Sequence, residues 1–183
     1  MDALQAQPTA SVWAQDEARF GLKTWHRRCW YARGTRPVWK AQQVYQWVYV
    51  YGVVEPLTGR SVFALLPDLR SETVQVFLQH VAREVREPLC VVWDGVPGHQ
   101  AAAAHAPESI QLVRLPPYSP ELNPIEQVWR IVRKRLANRI FADLDELEAA
   151  LTEALQEFWD HPAVLIRLTA YPWWRHQVET LHA

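Results

Sequence analysis

The chain has 183 residues, nearly half of them apolar, with ten tryptophans and a formal net charge of −1. That length suits one domain, or one domain with an extension, and the composition favours a packed core over a disordered chain. No apolar run reaches the roughly 18–20 residues a membrane span needs, and the N-terminus "MDALQAQPTA" lacks the basic flank and apolar core of a secretion signal.

In chain order, the N-terminal third reads as strands. "SVWAQDEARFGL" alternates so that Val12, Ala14 and Asp16 share one face. "TWHRRCWYARG" and "AQQVYQWVYVYGVV" continue the β-rich, aromatic character, and "EPLTGR" is a turn before the strand "SVFALLP". Short turns between successive strands predict an antiparallel meander. "DLRSETVQVFLQHVAREV" then sets Leu69, Val74, Phe77, Leu78 and Val81 at helical spacing, with Asp68 or Ser71 as the cap. "PLCVVWDG" is a short apolar run ending in Asp94, the pattern of a strand covered on both faces. "GHQAAAAHA" reads as a short helix, and "IQLVRLPPYSP" as a strand stopped by its prolines. Pro124 to about Trp159 is mostly helical with a break near "NRIFAD", and "YPWWRHQVETL" adds a final helix. The order predicts an α/β sheet with an antiparallel and a parallel half.

Cys29 and Cys90 show no metal-type pairing and fit a reducing cytosol as small apolar residues. The near-neutral total hides a segregated charge. Arg19, Lys23, Arg27, Arg28, Arg33, Arg36 and Lys40 form a run without an acid, and Arg130, Arg133, Lys134, Arg135 and Arg139 form another. The acids collect between Asp143 and Asp160. Such segregation is compatible with a basic groove for a polyanion, or with ordinary solvated faces.

Three acids stand out by position. Asp16 lies within a strand of apolar and neutral residues, Asp94 ends an apolar strand, and Glu126 opens a helix. In open α/β sheets, ligand sites gather beyond the carboxyl ends of strands. Each acid also has a plain structural reading. Asp16 can face water, and Asp94-Gly95 can be a turn pair. Asn123 as N-cap, Pro124 at the first helical position and Glu126 three residues after the cap would make a capping box. On the helix wheel, Ile125, Val128 or Trp129, Val132 and Leu136 form an apolar stripe, with Glu126, Arg130 and Arg133 on the adjoining face.

"VVWDGVPGHQ" followed by "LVRLPPYSPELNPIEQVWRIVRKRL" closely resembles the catalytic domain of Tc/mariner-superfamily DDE transposases, in particular their bacterial insertion-sequence branch. The run Leu115 to Glu126 matches the family pattern at every position, and "WAQDEARFGL" resembles the family's first catalytic strand. The resemblance covers residues 11–160. It implies an RNase H-like fold: a mixed five-stranded sheet, antiparallel in its first half and parallel in its second, flanked by helices. Residues 1–10 would be a tail and 161–183 a C-terminal helical extension.

Carried over by motif, the catalytic and metal-binding acids are Asp16, Asp94 and Glu126, with Glu17 the neighbouring competitor for the first position. His99 and Asn123 would support the site from beside it. Arg19, Lys23, Arg27, Arg28, Arg130, Arg133 and Lys134 would bind DNA phosphates. Carboxylate oxygens suit Mg²⁺ or Mn²⁺, two ions per site at a spacing of about 3.5–4 Å. The implied reaction is DNA cleavage at the transposon end followed by strand transfer to target DNA. The implied partners are double-stranded DNA, a second copy of the chain and no membrane, and the implied location is the bacterial cytosol, at the nucleoid.

Three departures matter. Gly95 stands where the family commonly has Asn, and the 31 residues between Asp94 and Glu126 are slightly fewer than usual. Family members also usually begin with helix-turn-helix segments, whereas this sequence opens on the first catalytic strand. That predicts a separate helix-turn-helix subunit, or a truncated remnant that only binds DNA or acts as an accessory protein. A glycosidase built on paired carboxylates and stacking tryptophans leaves the Leu115–Glu126 run unexplained. A zinc site from His99 and His105 lacks further ligands nearby.

Overall fold

The computed structural model describes residues 10–35, 38, 40–94 and 101–181. Five strands run β1 (Ser11–Gly21), β2 (Trp47–Val54), β3 (Ser61–Leu66), β4 (Leu89–Trp93) and β5 (Ile110–Arg114). The helices are α1 (Ser71–Glu84), α2 (Glu126–Leu136), α3 (Leu144–Asp160), α4 (Pro162–Thr169) and α5 (Pro172–Leu181), and a 3-10 turn spans Pro120–Leu122. The sheet order is β3-β2-β1-β4-β5. β1 pairs antiparallel with β2 and β2 with β3, whereas β1–β4 and β4–β5 are parallel. This mixed sheet, with β1 at its centre, is the RNase H-like fold.

Strand alternation builds two cores. Val12, Ala14, Ala18 and Phe20 of β1 face one side with Val50, Cys90, Trp129 and Leu151. Trp13 faces the other with Tyr51, Val91 and Trp93 and the α1 stripe Val74, Phe77, Leu78 and Val81. The stripe follows the helical period, so one face of α1 covers the sheet. The apolar faces of α2 and α3 cover the opposite side. Leu165 of α4 and Trp174 and Val178 of α5 join that same core. Asp143 caps α3 by accepting from the Glu146 N–H at 2.9 Å.

Several expectations need correction. Residues 24–34 and 41–46 are not strands; β2 begins at Trp47. The described residues from Trp25 to Thr35 are all exposed, so aromatic character there has no face to bury. Cys29 is exposed in that segment, while Cys90 is buried and its thiol is pushed up to about 12 by desolvation. Leu69 is exposed and precedes α1. Neither Asp68 nor Ser71 is the cap residue of α1; Arg70 is, while the Asp68 carboxylate accepts from the Arg70 N–H and the Thr73 hydroxyl. Of the short helix expected over 98–106, residues 101–103 are helical, 104–106 are not, and 98–100 lie outside the described residues. No described helix is long and apolar enough to cross a membrane.

Candidate active site

β1 and β4 pair in parallel as far as Ala14 opposite Val92. Two residues further, the same register sets Asp16 abreast of Asp94, where β4 has ended. Residues in parallel register share a face, and neighbouring strands lie about 4.8 Å apart. That face is the one covered by α2, whose first residue is Glu126. Asp16 of β1, Asp94 just past β4 and Glu126 of α2 thus come to the same end of the sheet. Together with Arg114, Asn123 and the Leu115–Pro120 loop they line a cleft of about 370 Å³.

The prolines shape its wall. Leu115 still donates to the Trp93 carbonyl at 2.8 Å, extending β5 by one bond. Pro116 and Pro117 have no N–H to continue it, so the chain leaves the sheet there. Tyr118 then adopts a left-handed φ of 58° and is fully exposed at the cleft.

The start of α2 differs from a capping box. The Asn123 N–H donates to the Pro120 carbonyl, so it is not offered to Glu126. The Asn123 side-chain amide instead donates to the Gln15 carbonyl at 2.9 Å in a buried bond, and its oxygen accepts from the Ile125 N–H. Bonds from the Glu126 and Gln127 N–H groups to the Asn123 and Pro124 carbonyls tighten this first turn. Asn123 therefore ties the helix start to β1 one residue before Asp16.

Further contacts fix Asp16. The indole N–H of fully buried Trp129 donates to Asp16 Oδ2 at 2.9 Å. Gly52, the register partner of Asp16, leaves room for this: a Cβ there would lie 2.7 Å from Trp129 and 2.9 Å from Ile125. Glu17 projects to the opposite face, where it accepts from Gln15 Nε2 at 2.8 Å, and it does not line the cleft. Burial first, then the charges of Glu17 and Glu126, raise the Asp16 carboxyl to about 8 against opposing bonds from the Glu17 backbone and Trp129. Sequence reasoning placed Trp129 only in the apolar stripe and gave Gly52 no role. A glycine inside a strand is a signal of close approach.

The donor set is all oxygen, and the crowding of anions around Asp16 is what a divalent cation relieves. Among the described residues, however, no three acid, imidazole or thiolate groups stand close enough to hold one ion. The acids share the cleft without meeting at one point. His99 lies outside the described residues.

The basic residues divide. Arg19 and Lys23 meet Arg133 and Arg139 around a second cleft of about 200 Å³, floored by Phe20, Leu136, Phe141 and Leu147. Arg27, Arg28, Arg130 and Lys134 are exposed. Arg135 is turned away, paired with Glu157 and donating to the Ala154 carbonyl.

A mixed β3-β2-β1-β4-β5 sheet flanked by helices defines an RNase H-like protein. The chain belongs to the DDE superfamily endonucleases, whose family model matches residues 11–148. The uncharacterized protein y4pE/y4sA of Sinorhizobium fredii is 32% identical over 130 residues, covering 69% of this chain and 96% of that protein. Among solved structures, the Mos1 strand transfer complex matches with a TM-score of 0.69 at 14% identity, over 99% of this chain and 59% of that one. The Mos1 mariner paired end complex with Mn matches with a TM-score of 0.65 at 16% identity, over 94% and 56%. At such identity the likeness is one of fold, and this chain spans less than two thirds of those chains.

Proposed function

We propose that this domain catalyses metal-dependent phosphoryl transfer on double-stranded DNA, cutting at a transposon end and joining the freed 3′-hydroxyl to target DNA. The observation that carries the reading is the register that sets Asp16 beside Asp94 under the first turn of α2. In this reading Asp16, Asp94 and Glu126 hold two divalent ions, Mg²⁺ or Mn²⁺. When bound, such ions activate an attacking oxygen and stabilise a leaving one. Asn123 and Trp129 hold Glu126 and Asp16 at fixed positions, so little reorganisation is left for the reaction. Arg19, Lys23, Arg133 and the exposed cations near them carry the DNA phosphates. No side-chain nucleophile is needed.

Action as a pair of catalytic domains at the nucleoid belongs to the same proposal. The paired end complex formed by Mos1 supports the pairing.

The test is nicking and strand joining on DNA carrying the element's ends with Mn²⁺, comparing wild type with Asp94→Ala. The variant should lose both activities by at least about a hundredfold, with duplex binding in EDTA retained. Equal nicking by the two proteins would remove the catalytic assignment.

A further inference from the structure

Asn138 follows the end of α2, with a left-handed φ of 63°. Its backbone N–H donates to the Trp25 carbonyl at 2.9 Å. Its side-chain oxygen accepts from the Arg27 N–H at 2.9 Å, and its side-chain amide donates to the Arg27 carbonyl at 3.0 Å. One amide thus serves both backbone groups of one residue, as a neighbouring strand would. The two partners are 111 positions apart in sequence.

The segment it holds has no buried face. Described residues from Trp25 to Thr35 are exposed. Closer to β1, the segment is tied by Leu22 N–H to the Gln46 carbonyl at 3.0 Å and Thr24 N–H to the Gln42 carbonyl at 3.1 Å. Hydrophobic burial therefore does not explain the position of Arg27 and Arg28; Asn138 does.

The contact also works against electrostatics. It holds Arg27 and Arg28 of the first basic run against the end of α2, where Arg19, Lys23, Arg133 and Arg139 already share one cleft whose lining includes no acid. Like charges gathered this way disfavour the arrangement until an anion arrives. Arg133 lies over the Phe20 ring at 5.9 Å and Arg139 over Phe141 at 5.0 Å, so both guanidinium groups are already held in place.

We infer that Asn138 is a positioning residue that clasps the basic segment to the end of α2, making two basic runs into one continuous track for DNA phosphates. This rests on the DNA-binding reading above. The clasp acts through Arg27 and Arg28: released, they still carry charge but lose their fixed place on the track.

The experiment measures binding of a short duplex DNA in EDTA across a salt series. Four full-length proteins are compared: wild type, Asn138→Gly, Arg27→Ala/Arg28→Ala, and the triple variant. Glycine keeps the left-handed backbone without strain and removes only the side-chain clasp. Circular dichroism and urea unfolding confirm that each variant is folded. Asn138→Gly should weaken binding about tenfold and lower the slope of log K against log salt by up to about 1.8, the value for two phosphate contacts. In the background lacking Arg27 and Arg28, the same substitution should change nothing further. An unchanged salt slope in folded Asn138→Gly overturns the proposal, as does a full further loss in the triple variant. Absence of salt-dependent binding by wild type would overturn the DNA reading itself, and the proposal with it. Trypsin cleavage after Arg27 and Arg28 then still reports the clasp, quickening in Asn138→Gly if it exists.

Discussion

Replacing Asp16 with asparagine tests the electrostatics of the cleft directly. Burial first, then Glu17 and Glu126, raise the carboxyl from 3.8 to about 8. Between these values the folded protein binds one proton more than the unfolded chain, so stability falls as pH rises. The favourable contribution is complete below 3.8 and lost above about 8. At pH 7 the accumulated loss has a ceiling of about 4 kcal/mol, taking roughly 1.4 kcal/mol per pH unit. Asp16 keeps some contact with water through the cleft, which screens the effect toward about 2 kcal/mol. Asparagine has no charge, and its side-chain oxygen can still accept from Trp129. Asp16→Asn should therefore stabilise the protein by about 2–4 kcal/mol at pH 7 in EDTA, and by less than about 0.5 kcal/mol at pH 4. Urea unfolding followed by tryptophan fluorescence from pH 4 to 8 measures both. Adding Mn²⁺ should then raise the stability of wild type at pH 7 and leave the variant unchanged. A difference between the proteins that is flat with pH, or a less stable variant at pH 7, would refute the reasoning.

Gly52→Ala places a Cβ within 2.9 Å of Trp129, Ile125 and Phe63. It should cost about 1–3 kcal/mol in urea unfolding and reduce nicking on DNA by displacing the first turn of α2. Trp129→Phe removes the indole donor from Asp16 Oδ2. Losing a bond that lowers the Asp16 carboxyl should move the pH midpoint of its stability profile upward, and overall stability should fall by about 1–3 kcal/mol.

How much of this was legible in the sequence depends on the distance over which each feature is determined. β1, β3, β4 and α1 could be read because their periods record which face is buried, and Val12, Ala14 and Asp16 do share one. Residues 24–34 and 41–46 are not the strands their composition predicts, because aromatic residues report fitness for a half-covered sheet surface and the described residues there are mostly exposed. Asn123, Pro124 and Glu126 spell a capping box locally, but a carbonyl at Pro120 takes the required N–H and the carbonyl of Gln15 takes the amide. Trp129 and Asn138 were invisible as partners of Asp16 and Arg27 because those bonds join residues more than a hundred positions apart.

The long-range bonds also explain why an unfavourable acid is tolerated on the central strand. Asp16 lowers the stability of its own domain at neutral pH, so its surroundings must supply the stability it removes. Asn123 fixes β1 to α2 at Gln15, Trp129 fixes α2 back to Asp16, and Gly52 lets the helix approach closely enough for both. Asn123 and Trp129 are buried, and Gly52 is tightly enclosed. Their joint effect is to hold a carboxylate in a place where its charge is disfavoured. Strain kept at one point by an otherwise consistent fold is the arrangement expected of a working site and not of an ordinary core.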